Sequence, residues 1–190
     1  WTQNWRALVA FISSSLIFAS LATAVFGLEI WPTFLNGLSL AKAYLETNIP
    51  LERMPTVFAL VRQSGGSLAW SYSLHALVAG LAVVTLLATW RHSQQTTIRG
   101  TAFIAATLLI SPYLFDYDLV WQILPILWLF QLGLQTGWLV GERCLLVITW
   151  SLLLYVKLGL YLATGQVVLI GAVINLALLW VAYRRARHAF

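Results

Sequence analysis

Residues 7–27 pass without one charged side chain, and apolar runs of similar character return at 67–90, 119–135, 144–162 and 167–183. Each approaches the length of about 20 residues that carries a helix across a hydrocarbon core. Only 9% of the 190 residues are charged, while 61% are hydrophobic; a soluble domain averages about 25% charged. A soluble fold of this size cannot hide that much apolar surface, so the chain reads as an integral membrane protein. Barrel strands would alternate polar and apolar residues with a period of two. These runs do not, and the fold class is therefore all-α.

The net charge of +5 does not point to nucleic acid. The basic residues stand at the ends of apolar runs, where Lys and Arg set membrane orientation. The single Cys144 opens an apolar run and reads as a small buried hydrophobe.

Six spans are predicted, at 7–27, 67–90, 100–111, 119–135, 144–162 and 167–183. Residues 28–66 form the one long polar interval between spans. Within it Trp31, Phe34, Leu35, Leu38 and Leu45 share a helical face, with Pro32 suited to the first turn. This interval is expected to be a loop carrying interfacial helices. The turn at 164–166 is expected to join the last two spans. Arg6, Arg91, Arg99, Arg143, Arg184, Arg185 and Arg187 fall on the side of the two chain ends, whereas Lys42, Arg53 and Arg62 fall in the 28–66 loop. The asymmetry predicts both ends cytoplasmic and the loop outside, in a multi-pass plasma-membrane protein. The chain starts at Trp1 with no initiator Met, and is expected to be the C-terminal piece of a longer protein whose residues 1–190 form one transmembrane domain.

The third span is too short. About a dozen residues at ~1.5 Å each cover about 18 Å of a ~30 Å core. It ends at Ser111-Pro112, where proline breaks the helix and biases Ser111 toward extended backbone. Asp116 and Asp118 follow, two of the six acidic residues. Ionisable groups at membrane depth mark functional sites, and irregular backbone survives there only where protein lines it. The aspartates are thus expected in a recess open to the outer face. They suit binding of a cation, of sugar hydroxyls or of a phosphate-holding Arg; capping of the fourth span is the plainer role. Arg53 and Arg62 in the loop suit a lipid phosphate, with interface anchoring as the plainer role. Lys157 is placed to snorkel outward or to meet a phosphate. His75 suits a polar contact between helices. Tyr117, Tyr113 or Trp31 offers a ring for a sugar. No metal-ligand spacing is present, and no cofactor motif.

Met54-Pro55-Thr56-Val57-Phe58-Ala59-Leu60, then Ser111-Pro112-Tyr113-Leu114-Phe115-Asp116-Tyr117-Asp118-Leu119-Val120, a proline-containing helix and Gly141-Glu142-Arg143 occur in that order. Together they resemble, over nearly the whole chain, the C-terminal half of glycosyltransferase family 87. The resemblance implies a GT-C fold and sugar transfer at the non-cytoplasmic face. The donor would be a polyprenyl-phosphate sugar, with mannose the foremost hexose, and the acceptor a lipid-linked or cell-envelope glycan. No cofactor is implied beyond that donor. The general base of such enzymes sits in the first outer loop, expected upstream of Trp1, so this piece alone is expected to be inactive. Asp116, Asp118, Tyr117, Arg53, Arg62 and Lys157 would then bind substrate rather than act as the base. The rival readings are a transporter or channel subunit with the aspartates on an ion path, and a non-catalytic membrane scaffold.

The orientation is testable. Cysteine at Ser39 should react with a membrane-impermeant thiol reagent on intact cells, and cysteine at Ser93 should stay silent; the opposite pattern would reverse the topology.

Overall fold

The structure, a computed structural model, describes residues 5–48, 51–157 and 167–188. Among them it is all-helical, with eight α-helices and no sheet: α1 Trp5–Phe26, α2 Ile30–Thr47, α3 Val57–Gln63, α4 Leu68–His92, α5 Thr96–Ile110, α6 Ile123–Thr136, α7 Glu142–Lys157 and α8 Val167–His188. Two 3₁₀ segments, Leu51–Arg53 and Asp116–Gln122, complete the set. Among the described residues three helical stretches are long and apolar enough to cross a membrane: Trp5–Phe26, Leu68–His92 and Asp116–Thr136. The protein is a membrane protein. The expected fifth and sixth spans overlap α7 and α8, and the turn predicted at 164–166 lies outside the described residues.

Two compact units divide the chain, Trp1–Ile49 and Pro50–Phe190. In the first, α1 tolerates its serines because Ser14 and Ser15 hydroxyls donate to the Phe11 carbonyl, 2.9 Å each. Gly27, at φ 79°, ends the helix, since this left-handed backbone suits glycine alone. Trp31 Nε1 then donates to Thr23 Oγ1 at 3.0 Å and ties α2 back to α1. The predicted apolar face of α2 is present, with Trp31, Phe34, Leu35 and Leu38 all exposed.

In the second unit α5 and α8 are the central pair, with α4 and α6 packed against α5 and α7 against α8. Ala102, Ala105, Ala106 and Leu109 of α5 and Leu178, Ala182 and Ala186 of α8 are buried in one core. Small residues at such a seam let helix axes approach closely. Gly171 extends the seam: a Cβ there would lie 2.4 Å from Pro55 Cβ.

Helix α5 begins one turn earlier than predicted, yet its 15 residues still reach only about 22 Å at ~1.5 Å per residue. The turn before it is closed by Arg99, which donates to the carbonyls of Ser93 at 2.6 Å and Trp90 at 2.8 Å. Arg99 also lies over the Trp90 ring.

Two side chains differ from expectation. Cys144 is exposed, on the same outward face of α7 as Val147 and Ile148; a position one residue into an apolar run was no guide to which face it took. Ser93 is buried, so silence of a cysteine there would report burial and not sidedness. The neighbouring exposed Gln94 is the sound probe, in a Cys144→Ser background.

A packing test follows from Gly171. Gly171→Ala forces α8 away from Pro55 and should cost about 1–3 kcal/mol. Gly80→Ala, where a Cβ meets nothing within 4 Å, should be neutral or mildly stabilising. Thermal unfolding of the purified protein in detergent separates the two; equal melting temperatures would contradict the tight seam.

Candidate functional site

The site grows from the end of α5. Ser111 takes extended backbone, φ −77° and ψ 123°, as a residue before proline must. The last carbonyls of a helix lack partners within it, and here other elements supply them. His75 Nε2 donates to the Ile110 carbonyl at 3.0 Å, the interhelical contact expected of that histidine. Thr56, which caps α3 by accepting from Ala59 N, also donates its hydroxyl to the Pro112 carbonyl at 3.1 Å.

His75 stands seven residues beyond Leu68, the first residue of α4. Helix α4 therefore rises about 10 Å past the end of α5, and residues 111–115 lie below its rim. The hydroxyls of Tyr72 and Tyr113 bond to each other beside this turn. Phe58 packs on both rings, at 4.8 and 5.6 Å between centroids.

Asp116 opens the 3₁₀ segment. Its repeat of three residues per turn puts Asp116, Leu119 and Gln122 on one side, and all three are buried. The Asp116 carboxylate, 5% exposed, receives a two-pronged contact from Arg53: Nε to Oδ2 at 3.2 Å and Nη2 to Oδ1 at 3.1 Å. Oδ1 also accepts from Tyr117 N at 3.0 Å. The negative charge sits at the N-terminus of the helical run to Thr136, where the helix dipole favours it. Arg53 ends the other 3₁₀ segment and is held by Met54 and Pro55, both buried. Its side chain is 41% exposed, against 5% for that of Asp116.

Asp118 has a different task. Two residues in a 3₁₀ helix are about 240° apart, so one arginine cannot hold both aspartates. Asp118 Oδ2 accepts from Phe115 N at 2.9 Å, and Asp118 N donates to the Phe115 carbonyl at 3.0 Å. It is a cap, as is Asp116 in part. Tyr117 is exposed, with its ring stacked on Phe115 at 5.6 Å. Arg62 turns back to its own loop, Nη1 donating to the Gly66 carbonyl at 2.9 Å. Lys157 closes α7, and its side chain lies outside the described residues. The structure thus brings Arg53 to Asp116 and leaves Asp118 and Arg62 with other partners.

Tyr72 and Thr56 were not singled out from the sequence. The signal was there for Tyr72: Ser71, Tyr72 and His75 cluster within one turn of an otherwise apolar helix. A second ion pair was also missed. Arg185 Nε and Nη2 reach the two Glu142 oxygens at 2.5 Å each, with Thr136 Oγ1 and the Gly137 carbonyl at 3.0 Å. Among the described residues no group of three His, Cys, Asp or Glu side chains is placed to hold a metal ion.

This arrangement suits anion recognition more than proton abstraction. Both Asp116 oxygens are engaged and Asp118 is a cap, whereas Arg53 is braced and half exposed. A double-mutant cycle measures the brace. Asp116→Ala and Arg53→Ala should couple by about 1–2 kcal/mol, less than a fully buried pair because Arg53 is partly solvated. Asp118→Ala should cost about 1 kcal/mol as a lost cap and show no coupling to Arg53; coupling of that second pair would contradict the assignment.

No curated protein and no solved structure matches the chain. The family profile of glycosyltransferase family 87 matches residues 1–112. The match is shorter than the near-complete resemblance expected, since it includes Arg53 and Met54-Pro55 and stops at Pro112, before Asp116. It covers more than half of the 190 residues, and the chain belongs to glycosyltransferase family 87.

Proposed function

We propose that this protein moves a hexose, mannose foremost, from a polyprenyl-phosphate donor to a lipid-linked or cell-envelope acceptor, with the Asp116 end of the bundle at the outer face of the plasma membrane. Family membership implies a glycosyltransferase. The observation that carries the donor class is Arg53, braced in two places on a buried carboxylate with its own side chain 41% exposed. A lipid-linked phosphate reaches such a site from the membrane, with its apolar chain left among the helices. The Lys/Arg asymmetry supports the orientation.

The chemistry explains why an arginine belongs there. The donor phosphate is a diester with one negative charge. In an inverting transfer the acceptor oxygen bonds to the anomeric carbon, the anomeric carbon–oxygen bond to phosphate breaks, and the acceptor proton passes to a base. The phosphate leaves as a monoester carrying a second negative charge. A guanidinium beside it binds the transition state more tightly than the ground state, which is the condition for acceleration. Asp116 positions Arg53 and is not the base. Tyr117 offers its exposed ring to the sugar. Arg62 and Lys157 add positive charge for the phosphate, and Asp118 holds the turn that carries Tyr117.

The test replaces the source cell's own coding sequence and assays its membranes with labelled polyprenyl-phosphate mannose. Arg53→Ala should lower transfer by about 100-fold, within the range found on removing one charge-stabilising donor, at unchanged protein level. Arg53→Lys should recover only part, because a point charge does not reproduce the fork. Unchanged transfer in Arg53→Ala, or a sugar drawn directly from a nucleotide donor, would overturn the reading.

A further inference from the structure

A surface groove lies between α6 and α7, toward the C-terminal end of α6 and away from Asp116. A groove of about 410 Å³ runs there between Phe130 and Leu134 on one helix and Leu146 and Val147 on the other. Trp138 and Arg143 stand at its mouth, with the Arg143 guanidinium 5.1 Å from the Trp138 ring centroid. The volume is that of a small-molecule site. The walls are open: Leu134 is 67% and Val147 65% exposed.

Charge decides the occupant. From residue 119 to the end of the chain Glu142 is the only acidic residue, and both its oxygens are held by buried Arg185. That leaves Arg143 without a carboxylate in its own turn. Arg184 adds to the excess, its Nη1 on the Val140 carbonyl at 3.3 Å, and so does Arg187 against the Tyr183 ring. A stacked guanidinium keeps its charge and its donors while the ring fixes its position. Tryptophan beside arginine at the end of a spanning helix marks headgroup level. An apolar groove continuing below that level has the dimensions for an acyl chain.

We infer that the α6–α7 groove binds one acidic phospholipid, its phosphate on Arg143 and an acyl chain between Leu134 and Val147. A second copy of the chain is the poorer occupant, because this end would set arginine against arginine.

The test is native mass spectrometry of the full chain, released from neutral detergent after equilibration with equal amounts of phosphatidylglycerol and phosphatidylcholine. The wild type should retain phosphatidylglycerol about fivefold more than phosphatidylcholine, the preference expected from one arginine near a membrane surface. Arg143→Gln should abolish that preference, and Arg143→Lys should keep most of it. Arg91→Gln, an exposed arginine outside the groove, should change nothing. Val147→Trp fills the groove with Arg143 intact and should lower retention of phosphatidylglycerol; it decides the matter if Arg143→Gln does not fold. Free glycerol phosphate in excess should not displace the lipid. Equal retention of the two lipids overturns the inference, as do insensitivity to Arg143→Gln and Val147→Trp, displacement by glycerol phosphate alone, and a dimer that forms at the groove without lipid.

Discussion

A helix that stops inside an apolar medium leaves its last carbonyls unpartnered, and lipid offers no donors to satisfy them. Helix α5 is that helix, and much of the surrounding structure answers its early end. His75 reaches across from α4 to the Ile110 carbonyl, and Thr56 reaches from the start of α3 to the Pro112 carbonyl. The short helices of residues 51–63 cover the gap. Were α5 longer by two turns, residues 111–117 would be helical and could not bring Asp116 to Arg53 as they do. The polar site is thus the consequence of a missing length of helix.

The Glu142–Arg185 and Arg53–Asp116 ion pairs illustrate different uses of charge. Glu142 and Arg185 are both buried, at 0% and 7% side-chain exposure, and Thr136, Gly137 and Leu139 N complete the hydrogen bonding. A buried pair offsets its desolvation only with such geometry, and this one fixes the turn between α6 and α7. Gly137, at φ 85°, lets the chain turn its carbonyl to Arg185. The Arg53–Asp116 pair buries only its acid. The Arg53 side chain stays 41% exposed. The same chemistry holds the turn between α6 and α7 at one end and the start of the 3₁₀ segment at the other.

The sequence showed the helical class and the short third span, and it raised Arg53 and the two aspartates as candidates for one site. Those follow from run lengths, from Ser111-Pro112 and from the cost of charge at depth, all local or additive signals. It did not show which aspartate would take the arginine. Spacing of two serves an extended segment or a helix equally, and the 3₁₀ form that decided the matter lies packed among α5, α6 and α7. The Glu142–Arg185 pair was hidden for another reason: charges at the ends of apolar runs read as interface anchors, and only the tertiary approach of α7 and α8 buries them. The Cys144 exposure and the Ser93 burial fail similarly, since a helix in lipid has no polar face by which a sequence announces its rotation. Among the described residues three stretches are long and apolar enough to cross a membrane, where six spans were expected; α5 is the clear case of a helix that apolarity identified and length did not.

The ion pair can be precise only if its two partners share a common reference, and α8 supplies it. Asp116 and Gln122 lie two 3₁₀ turns apart on the same side, and the buried Gln122 Nε2 donates to Asn175 Oδ1 of α8 at 2.9 Å. Arg53 reaches α8 by another route, through Pro55, which fits against Gly171. Gly171 and Asn175 are four residues apart, one turn of the same helix and one face of it. The acid and the base of the pair are thus registered against adjacent turns of α8, although 63 residues separate them in sequence. A shift of α8 along its axis would carry both together and preserve the pair, whereas a side chain added at Gly171 moves only the arginine's support. Packing at Gly171 therefore bears on the geometry of the Arg53–Asp116 pair.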